Sequence, residues 1–442
     1  MTVIRPNSIS GVSSITGQGG DISIFRADGT AADVTVNNIT SGIITATTFK
    51  GAVTGNADTA SGLSGNPSIN TTGIVTATSF VPTTGQLSHR NIIVNGAMTV
   101  SQRGTSEASI TSAKYAQAPD RFKIEGGTFG TITASQSTDS PNGFANSYKV
   151  DVTTANGSLS SGSYLELVHK LEGRDVQSFA KGTSEAKQFA LSFHVKSTKT
   201  GTYVVLVIDH DTSRMVSKTY TVSDTNWNKY ELIFPADTTG AFGNDNNLSL
   251  SIKFVLVAGT TFTSSSLQTT WGAVSNGPSR TGQVNFADST SNEWYLTGVQ
   301  LEVGPVVTPF EHKSLQDEFH RCCRYYQKYG SSGQYNTFQD LRPIGHSSGV
   351  VEVMHDFRGI PMRANPTVAF TNGSLYIRGC ASSYVDTAVS LSGSNYALSS
   401  DGITHTGHFW VAPTSGSPFV ACQGGRVTGV TNGAYIEFKA EL

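Results

Sequence analysis

One segment of this chain has the residue spacing of an α-helix, in a sequence that otherwise alternates like strands joined by turns. The segment begins at Ser314, a favourable N-cap followed by acidic residues, and it reaches a helix-stopping glycine at Gly330. The apolar residues between these two recur at alternating intervals of four and three, which is a heptad spacing. They are Leu315, Phe319, Cys322, Tyr326 and Tyr329. The spacing predicts a helix over 314–329 whose apolar seam packs against identical helices, as in a homotrimer.

The composition indicates a folded protein with a polar but nearly uncharged surface. Charged residues make up 14% of the 442 residues, against roughly 25% in ordinary globular domains. Disordered chains usually carry fewer aromatic residues than the 9% found here. The net charge of −2 provides no basic patch for nucleic acid, and apolar runs such as 203–208 are too short to span a bilayer. We therefore expect neither nucleic-acid binding nor membrane insertion.

The sequence lacks the usual motifs of catalysis and metal binding. Its four cysteines do not have zinc-ligand spacing, and it contains no nucleophile elbow and no zinc-binding pair of histidines on a helix. Asp209 and Asp211 could face one side of a strand, but a turn after the apolar run 202–208 explains them better. The sequence thus predicts a protein that is not an enzyme, with no catalytic residues, no metal and no cofactor.

The first 90 residues contain a short internal repeat. Residues 40–49 recur as 71–80, an offset of 31, and each copy is a β-branched strand that opens with glycine and closes with phenylalanine. One such unit cannot bury its own apolar side, so its stability must come from stacking or from neighbouring chains. We predict a slender β stalk over 36–90, preceded by an anchoring segment over 1–35.

From about residue 91 the sequence alternates as half-buried antiparallel strands do. Apolar residues occupy every second position of 189–195 and of 248–256, with polar residues such as His194 between them. Several such runs, separated by turn-forming clusters, predict a mostly β fold with an antiparallel β-sandwich of jelly-roll type over 91–310. After the sandwich we predict a connecting helix over 311–330 and a C-terminal β tip domain over 331–442. The strands predicted in the tip domain lie near 350–354, 367–370, 375–378, 408–411 and 435–439, and a loop is predicted at 390–395.

Six stretches between residues 91 and 330 carry a family resemblance. They are Asn-Ile-Ile-Val-Asn-Gly-Ala-Met-Thr-Val-Ser-Gln-Arg-Gly-Thr at 91–105, Asp-Arg-Phe at 120–122, Leu-Ser-Phe-His-Val-Lys-Ser at 191–197, Tyr-Leu-Thr-Gly-Val-Gln-Leu-Glu-Val-Gly at 295–304, Thr-Pro-Phe-Glu-His at 308–312 and Arg-Cys-Cys-Arg-Tyr-Tyr at 321–326. In these stretches the chain resembles tail-fibre proteins of bacteriophages, marine phages and cyanophages especially. By resemblance, the jelly roll is similar to carbohydrate-binding modules.

The resemblance implies a subunit of a virion tail fibre that is assembled in the host cytoplasm. It implies that the N-terminus joins tail or baseplate proteins of the virion. The homotrimer would then attach the particle to a host surface polysaccharide or another receptor. Two alternatives stay open: a head or collar decoration fibre with a structural role, and a tailspike-type polysaccharide depolymerase.

Exposed aromatic side chains are the candidates for glycan binding, because a ring with one apolar face can stack on a sugar. Trp227 and Trp294 adjoin strand patterns and are expected in the core. Trp271 lies in the polar stretch 268–272 and is expected to be exposed. The glycan-binding candidates are Trp271, Trp410, Tyr384 and Tyr396.

Overall fold

In a computed structural model of the chain, the alternating runs form two antiparallel sheets packed face to face. The structure describes residues 88–330 and, after them, 341–347, 350–357, 359–371, 375–378, 386–398, 406–413, 426–429 and 435–442. The predicted anchor and all but the last residues of the predicted stalk lie outside the described residues. Within the described part, the prediction of a mostly β fold is confirmed.

Twelve strands between residues 106 and 303 build the sandwich. They are β1 (Ser106–Ile110), β2 (Phe122–Gly127), β3 (Thr131–Ser137), β4 (Ser147–Thr154), β5 (Tyr164–Glu172), β6 (Phe189–Ser197), β7 (Gly201–Asp209), β8 (Arg214–Val222), β9 (Asn228–Phe234), β10 (Leu248–Ala258), β11 (Gly272–Ala273) and β12 (Glu293–Val303). The first sheet has the order β1-β3-β4-β12-β6-β9, and the second has the order β11-β8-β7-β10-β5-β2. This arrangement confirms the predicted antiparallel sandwich.

The core lies between the two sheets, where the inward positions of the alternating strands meet. Phe193 of β6, Phe254 of β10 and Trp294 of β12 are fully buried there. The ring centroids of Phe193 and Phe254 lie 5.1 Å apart, and those of Phe254 and Trp294 lie 6.3 Å apart. Burying each side chain of this size stabilises the fold by roughly 1.5–3 kcal/mol. The core positions of Trp294 and of alternate residues in β6 are therefore as predicted.

The outer faces of the two sheets differ. On the second sheet, the outward side chains Val204 and Leu206 form a small apolar cluster, and Leu267 packs against it. Leu267 belongs to the long connection between β10 and β12, so this connection covers part of that face. Strand β10 is buried on both sides along nearly its whole length, which corrects the expectation of a half-buried strand. The outer face of the first sheet carries polar and aromatic side chains instead.

Helix α1 spans Leu315–Cys323 and is shorter than predicted. Its start is as predicted, because Ser314 is the N-cap and its Oγ accepts a hydrogen bond from the Asp317 amide at 3.1 Å. Its predicted end is wrong, since strand β13 (Tyr326–Gly330) follows it after two residues. Strand β13 pairs with a strand more than 100 residues later in the chain, β21 (Tyr435–Lys439). This long-range pairing overrides the local helical spacing.

The five predicted seam residues do not share one helix face. Leu315 is 65% exposed and Phe319 is half-buried, but Cys322 is fully buried within its own chain. Tyr326 and Tyr329 belong to strand β13 and are also buried. The last three seam positions therefore stabilise the fold of a single chain, and the prediction of a continuous heptad seam is wrong.

The described strands after β13 belong to two further sheets. These strands are β14 (Leu341–Ser347), β15 (Val350–Asp356), β16 (Thr367–Thr371), β17 (Leu375–Arg378), β18 (Asp386–Leu398), β19 (Thr406–Pro413), β20 (Arg426–Gly429) and β21. One sheet has the order β13-β21-β16 and the other the order β14-β15-β19-β18-β17-β20. The predicted strands are confirmed, but the loop predicted at 390–395 lies inside β18. Its pairing with β19 shifts register between Leu391 and Tyr396, so the sheet accommodates the Gly/Ser-rich stretch as an irregularity.

Candidate functional site

The expected exposure of Trp271 is corrected by its packing. The indole is partly buried against the sandwich core, and its Nε1 donates a hydrogen bond to the Pro235 carbonyl at 2.8 Å. The Lys181 ammonium lies 5.5 Å from the ring centroid, and the Phe189 ring lies 6.4 Å away. Trp271 therefore has its hydrogen-bonding group and much of its surface engaged within the chain.

The other three predicted glycan-binding residues lie in the C-terminal region. Tyr396 belongs to β18 and Trp410 belongs to β19, and the backbone register pairs Tyr396 with Phe409, the neighbour of Trp410. The structure thus brings the two backbone positions onto adjacent strands. The side chains of Tyr396 and Trp410, and all of Tyr384, lie outside the described residues.

A group of residues that the sequence prediction did not select occupies the outer face of the first sheet. Trp294 and Leu296 point into the core, so Tyr295 between them points to the outer side of β12. Its register partners are Lys149 on β4 and Lys196 on β6. Each lysine ammonium lies 5.5 Å from the centroid of the Tyr295 ring. We name this surface the Tyr295 face and define it by Tyr295, Lys149, Lys196, Glu293, Asp139 and Trp227.

Two carboxylates complete the polar contacts of the Tyr295 face. Glu293 accepts hydrogen bonds from the Lys149 ammonium and the Tyr295 hydroxyl, each at 2.7 Å. Asp139, in the loop between β3 and β4, accepts from the Lys196 ammonium at 2.7 Å. The four charged groups therefore form two ion pairs, one on each side of the tyrosine ring.

Trp227 closes one side of the Tyr295 face. Its Nε1 donates to Asp139 at 2.9 Å, and its ring meets the Tyr295 ring edge to face with centroids 6.1 Å apart. The indole is partly exposed and packs on the outer side of the sheet. This position corrects the expectation that Trp227 lies in the core. The face thus combines a partly exposed aromatic ring with hydrogen-bonding groups of both kinds.

The hydrogen bonds keep the carboxylates of the Tyr295 face ionised. The hydrogen bond from Lys149 lowers the pKa of Glu293. Partial burial alone would raise the pKa of Asp139, but hydrogen bonds from Lys196 and Trp227 outweigh it and lower that pKa. Burial, aided by the hydrogen bond to Glu293, raises the pKa of Tyr295 to about 12. At neutral pH the face therefore presents two carboxylates, two ammonium groups and an un-ionised phenol.

A second aromatic patch adjoins the Tyr295 face along the same strands. We name it the aromatic cluster: Phe144, His194, Phe310 and His312. The Phe144 ring is its centre, with centroid distances of 5.2 Å to His194, 5.0 Å to Phe310 and 5.2 Å to His312. His194 lies two residues before Lys196 on β6, so the two patches are roughly 7 Å apart on one surface.

A bulge in β12 makes room for the aromatic cluster. The register of β12 against β6 shifts between Thr297 and Gln300, and Gly298 within it has φ +64°. A Cβ atom on Gly298 would lie 2.7 Å from both His194 Nδ1 and the Phe144 ring, which is too close. Glycine is therefore required at this position both by the backbone angle and by the rings packed over it.

A polar cleft of about 610 Å³ lies next to the aromatic cluster, and His312 lines both. Lys313 on its wall donates to the Asn91 carbonyl, and Arg321 donates to the carbonyls of Ile92 and Ile93. These cations are thus used to hold the backbone where the chain enters the sandwich. The cleft extends the polar surface but offers few uncommitted charges.

Among the described residues, no group of three or more His, Cys, Asp or Glu side chains could hold a metal ion. No helix in the same part of the chain is long and apolar enough to cross a membrane. Asp209 is fully buried and accepts hydrogen bonds from the amides of Asp211 and Thr212, as expected for a turn after β7.

Two sequence signals could have indicated the Tyr295 face. The alternation in 189–195 places His194 and Lys196 on the side opposite the core, and the Trp-Tyr pair at 294–295 places one ring on each side of a strand. The contribution of Asp139 and Trp227 has no such signal, because both belong to loops that meet only in the folded chain.

Comparison with known proteins finds similar structures but no similar sequence family. No protein-family model matches the chain, and no curated protein matches it. The family 11 carbohydrate-binding module of the Clostridium thermocellum cellulase Lic26A-Cel5E is 13% identical, covers 47% of this chain and 100% of its own, and has a TM-score of 0.23. The C-terminal family 22 module of Clostridium thermocellum Xyn10B is 12% identical, with coverage of 46% and 98% and a TM-score of 0.25.

A third similar structure is the CBM22-1 xylan-binding domain of Paenibacillus barcinonensis Xyn10C. It is 10% identical, covers 46% of this chain and 99% of its own, and has a TM-score of 0.23. All three similar structures are carbohydrate-binding modules.

Proposed function

We propose that the chain is the subunit of a bacteriophage tail fibre that attaches the virion to glycans on the host surface. The Tyr295 face is the observation that carries the glycan-binding part of this proposal. The resemblance of residues 91–330 to phage tail-fibre proteins supports the virion part. In this proposal the N-terminal region joins the virion, and the sandwich contacts the host polysaccharide.

The Tyr295 face has the chemistry that sugar recognition requires. A pyranose ring presents apolar C–H groups on its faces and hydroxyl groups on its rim. Trp227 offers a partly exposed ring for the apolar face, while ammonium and carboxylate groups can donate to and accept from the hydroxyls. Contacts of this kind are individually weak, but several copies of the chain on one particle act together through avidity.

The fibre proposal includes a homotrimer, for which the start of helix α1 gives the support. Leu315 is 65% exposed and lies with Phe319 and Val100 in a shallow apolar groove. An exposed leucine in such a groove suits a contact with another copy of the chain. The buried residues Cys322, Tyr326 and Tyr329 take no part in this contact.

A binding titration tests the proposed glycan adhesion. The purified full chain is titrated with host surface polysaccharide, beside the variants Trp227→Ala and Phe262→Ala. Phe262 is a partly exposed ring associated with the second sheet, where it packs on Tyr164, so it is a matched control. We expect Trp227→Ala to weaken binding about tenfold. An aromatic ring stacked on a nucleic-acid base contributes on the order of 1–3 kcal/mol, and we expect a ring stacked on a sugar to contribute a similar amount. Equal losses in both variants would contradict the proposed site.

The same titration separates adhesion from the two alternatives. Release of oligosaccharides during incubation would favour a depolymerase over an adhesin. A decoration fibre is tested by attaching a label at Thr2 and imaging the particle. Absence of binding to any host polysaccharide, together with a label at the head or collar, would favour this alternative.

A further inference from the structure

We propose that the ligand of the Tyr295 face is a neutral glycan, and that the carboxylates of the face exclude acidic polysaccharides. This inference rests on the proposed glycan binding and adds the chemical class of the ligand. It follows from the charges on the outer surface of the first sheet and from how each of them is paired.

The ammonium groups of this surface are outnumbered by its carboxylates. Each outward lysine has an acidic partner: Lys149 with Glu293 at 2.7 Å, Lys196 with Asp139 at 2.7 Å, and Lys229 with Glu231 at 2.7 Å. Asp151, the register partner of Glu293 on β4, adds a fourth carboxylate to these three ammonium groups. An acidic sugar arriving here would meet one negative charge in excess and no lysine without a partner.

Paired charges still recognise a neutral sugar. An ammonium group has three N–H donors and a carboxylate has about four acceptor positions, so one ion pair leaves several positions open. Glu293, Asp139 and their lysines are 23–39% exposed, so these positions can be reached from solvent. Neighbouring hydroxyls of a neutral sugar can therefore bind one donor and one acceptor without breaking an ion pair.

The two aromatic patches also suit a linear chain of sugars. The aromatic cluster adjoins the Tyr295 face, because His194 of the cluster lies two residues before Lys196 on β6, roughly 7 Å away. A ligand that follows the strands can contact Trp227 at one end and Phe144 with Phe310 at the other. Such contacts are apolar and need no charge on the ligand.

A comparison of neutral and acidic polysaccharides tests this inference. The full chain is titrated with a neutral polysaccharide and with a carboxylated one of similar length, each at low and at high salt. We expect binding of the neutral polysaccharide to change less than about twofold with salt, because no net charge is neutralised on binding. The acidic polysaccharide should bind at least about tenfold more weakly, since like charges meet at the face.

A variant of the carboxylates provides the second arm. The double substitution Asp139→Asn with Glu293→Gln removes the carboxylates that are hydrogen-bonded to Lys149 and Lys196, and it leaves three ammonium groups facing the two carboxylates of Asp151 and Glu231. It should gain about tenfold in affinity for the acidic polysaccharide at low salt, and high salt should remove this gain. The control Glu107→Gln removes the partner of Lys114 on the edge strand β1, away from the face, and should show no gain.

Three outcomes would contradict the neutral-glycan inference, the role of the Tyr295 face or the adhesion itself. Tight, salt-sensitive binding of the acidic polysaccharide by the unaltered chain would overturn the neutral-glycan inference while leaving glycan adhesion intact. An equal gain in Glu107→Gln would overturn the role of the face. Binding of neither polysaccharide by any variant would overturn both the inference and the proposed adhesion.

Discussion

At the residue scale, Gly298 shows how one position determines the shape of the candidate surface. Its φ of +64° belongs to the left-handed region, and the rings of His194 and Phe144 pack where a side chain would begin. Strand β12 pairs with β6 on both sides of the bulge at Gly298, and the aromatic cluster packs over the bulge. The sequence contains Gly298 within a strand pattern but gives no sign of which rings cover it.

Gly298→Ala should destabilise the protein by about 2–4 kcal/mol, because it adds a steric overlap to an unfavourable backbone angle. The control is Gly143→Ala, where φ is +91° but nothing lies within 4 Å of the added Cβ. Denaturant unfolding measures the loss of stability in each of the two variants. We expect the control to lose only about 1–2 kcal/mol, the cost of the backbone angle alone, and equal losses in the two variants would show that the rings do not crowd Gly298.

His169 is a buried residue whose titration opposes folding in acid. It is fully buried on β5, and the Val94 amide donates to its Nε2 at 3.3 Å. Burial, together with the positive charge of Arg121, holds its pKa well below the ordinary value of 6.5. The unfolded chain therefore binds a proton below about pH 6.5 that the folded chain does not, so the stability from His169 falls as pH falls.

Asp120 acts in the opposite direction. Burial raises its pKa from 3.8 to about 6, despite the nearby Arg103 guanidinium. Between these two values the folded chain holds a proton that the unfolded chain has lost. The stability that depends on Asp120 therefore rises as pH falls from about 6 towards 3.8.

His169→Gln removes the contribution of His169 to the pH dependence of stability and leaves that of Asp120. Between pH 6.5 and 5 the unfolding free energy of the unaltered chain should fall, relative to the variant, by up to about 1.4 kcal/mol per pH unit. Denaturant unfolding at several pH values measures this difference in slope. Parallel pH curves would show that His169 does not resist protonation in the folded chain.

At the element scale, the sequence predicts regular strands well and the end of the helix poorly. The alternation in β6 is sufficient because every second residue of the strand, from Phe189 to Val195, packs into the core between the sheets. The start of α1 was predictable because an N-cap is a local interaction of Ser314. Its end was not, because Tyr326 and the residues after it pair with β21, and no local pattern reports a partner so distant.

Strand β21 and the two residues after it are also fixed to the sandwich by charge. Glu441 pairs with Arg103 at 2.8 Å and with Arg121, and all three side chains are less than 10% exposed. The guanidinium groups stack on two neighbouring aromatic rings, Arg103 over Tyr326, the first residue of β13, and Arg121 over Tyr325 before it. This cluster joins the last described residues to the segments that precede β1 and β2.

Glu441→Gln should destabilise the protein by about 2–4 kcal/mol, since it removes the carboxylate that pairs with the buried Arg121 guanidinium and leaves Arg103 paired with Asp120 alone. Glu185→Gln, at an exposed glutamate, is the control and should change stability by less than about 0.5 kcal/mol. Denaturant unfolding gives both values. A Glu441→Gln variant as stable as the control would mean that the ion pairs do not hold this region in place.

At the scale of the whole molecule, the homotrimer is tested through Leu315. The mass of the full chain in solution should equal that of three copies. Leu315→Asp should reduce the trimer without changing the stability of the folded chain, because the side chain is exposed in one copy. Gln188→Asp, at an exposed position outside the groove, is the control. A monomeric unaltered chain, or a Leu315→Asp variant that stays fully trimeric, would contradict this contact.

The overall class of the fold was more predictable than the candidate site. Strand patterns report burial residue by residue, so the sandwich could be expected from alternation alone. The Tyr295 face depends on Asp139 and Trp227, which approach from two loops, and no periodicity predicts that meeting. Trp271 was selected for its polar neighbours, but its indole nitrogen bonds to the Pro235 carbonyl in the folded chain.

The central claim is that the outer face of the first sheet binds a glycan, and hydroxyl-radical footprinting tests it most directly. The oxidation of individual aromatic side chains is compared with and without a bound neutral polysaccharide. We predict that the ligand protects Trp227 and Phe144, while Phe262 and Tyr164 on the other sheet are oxidised as before. Protection of Phe262 and Tyr164, or of Trp410 and Tyr396 alone, would contradict the claim.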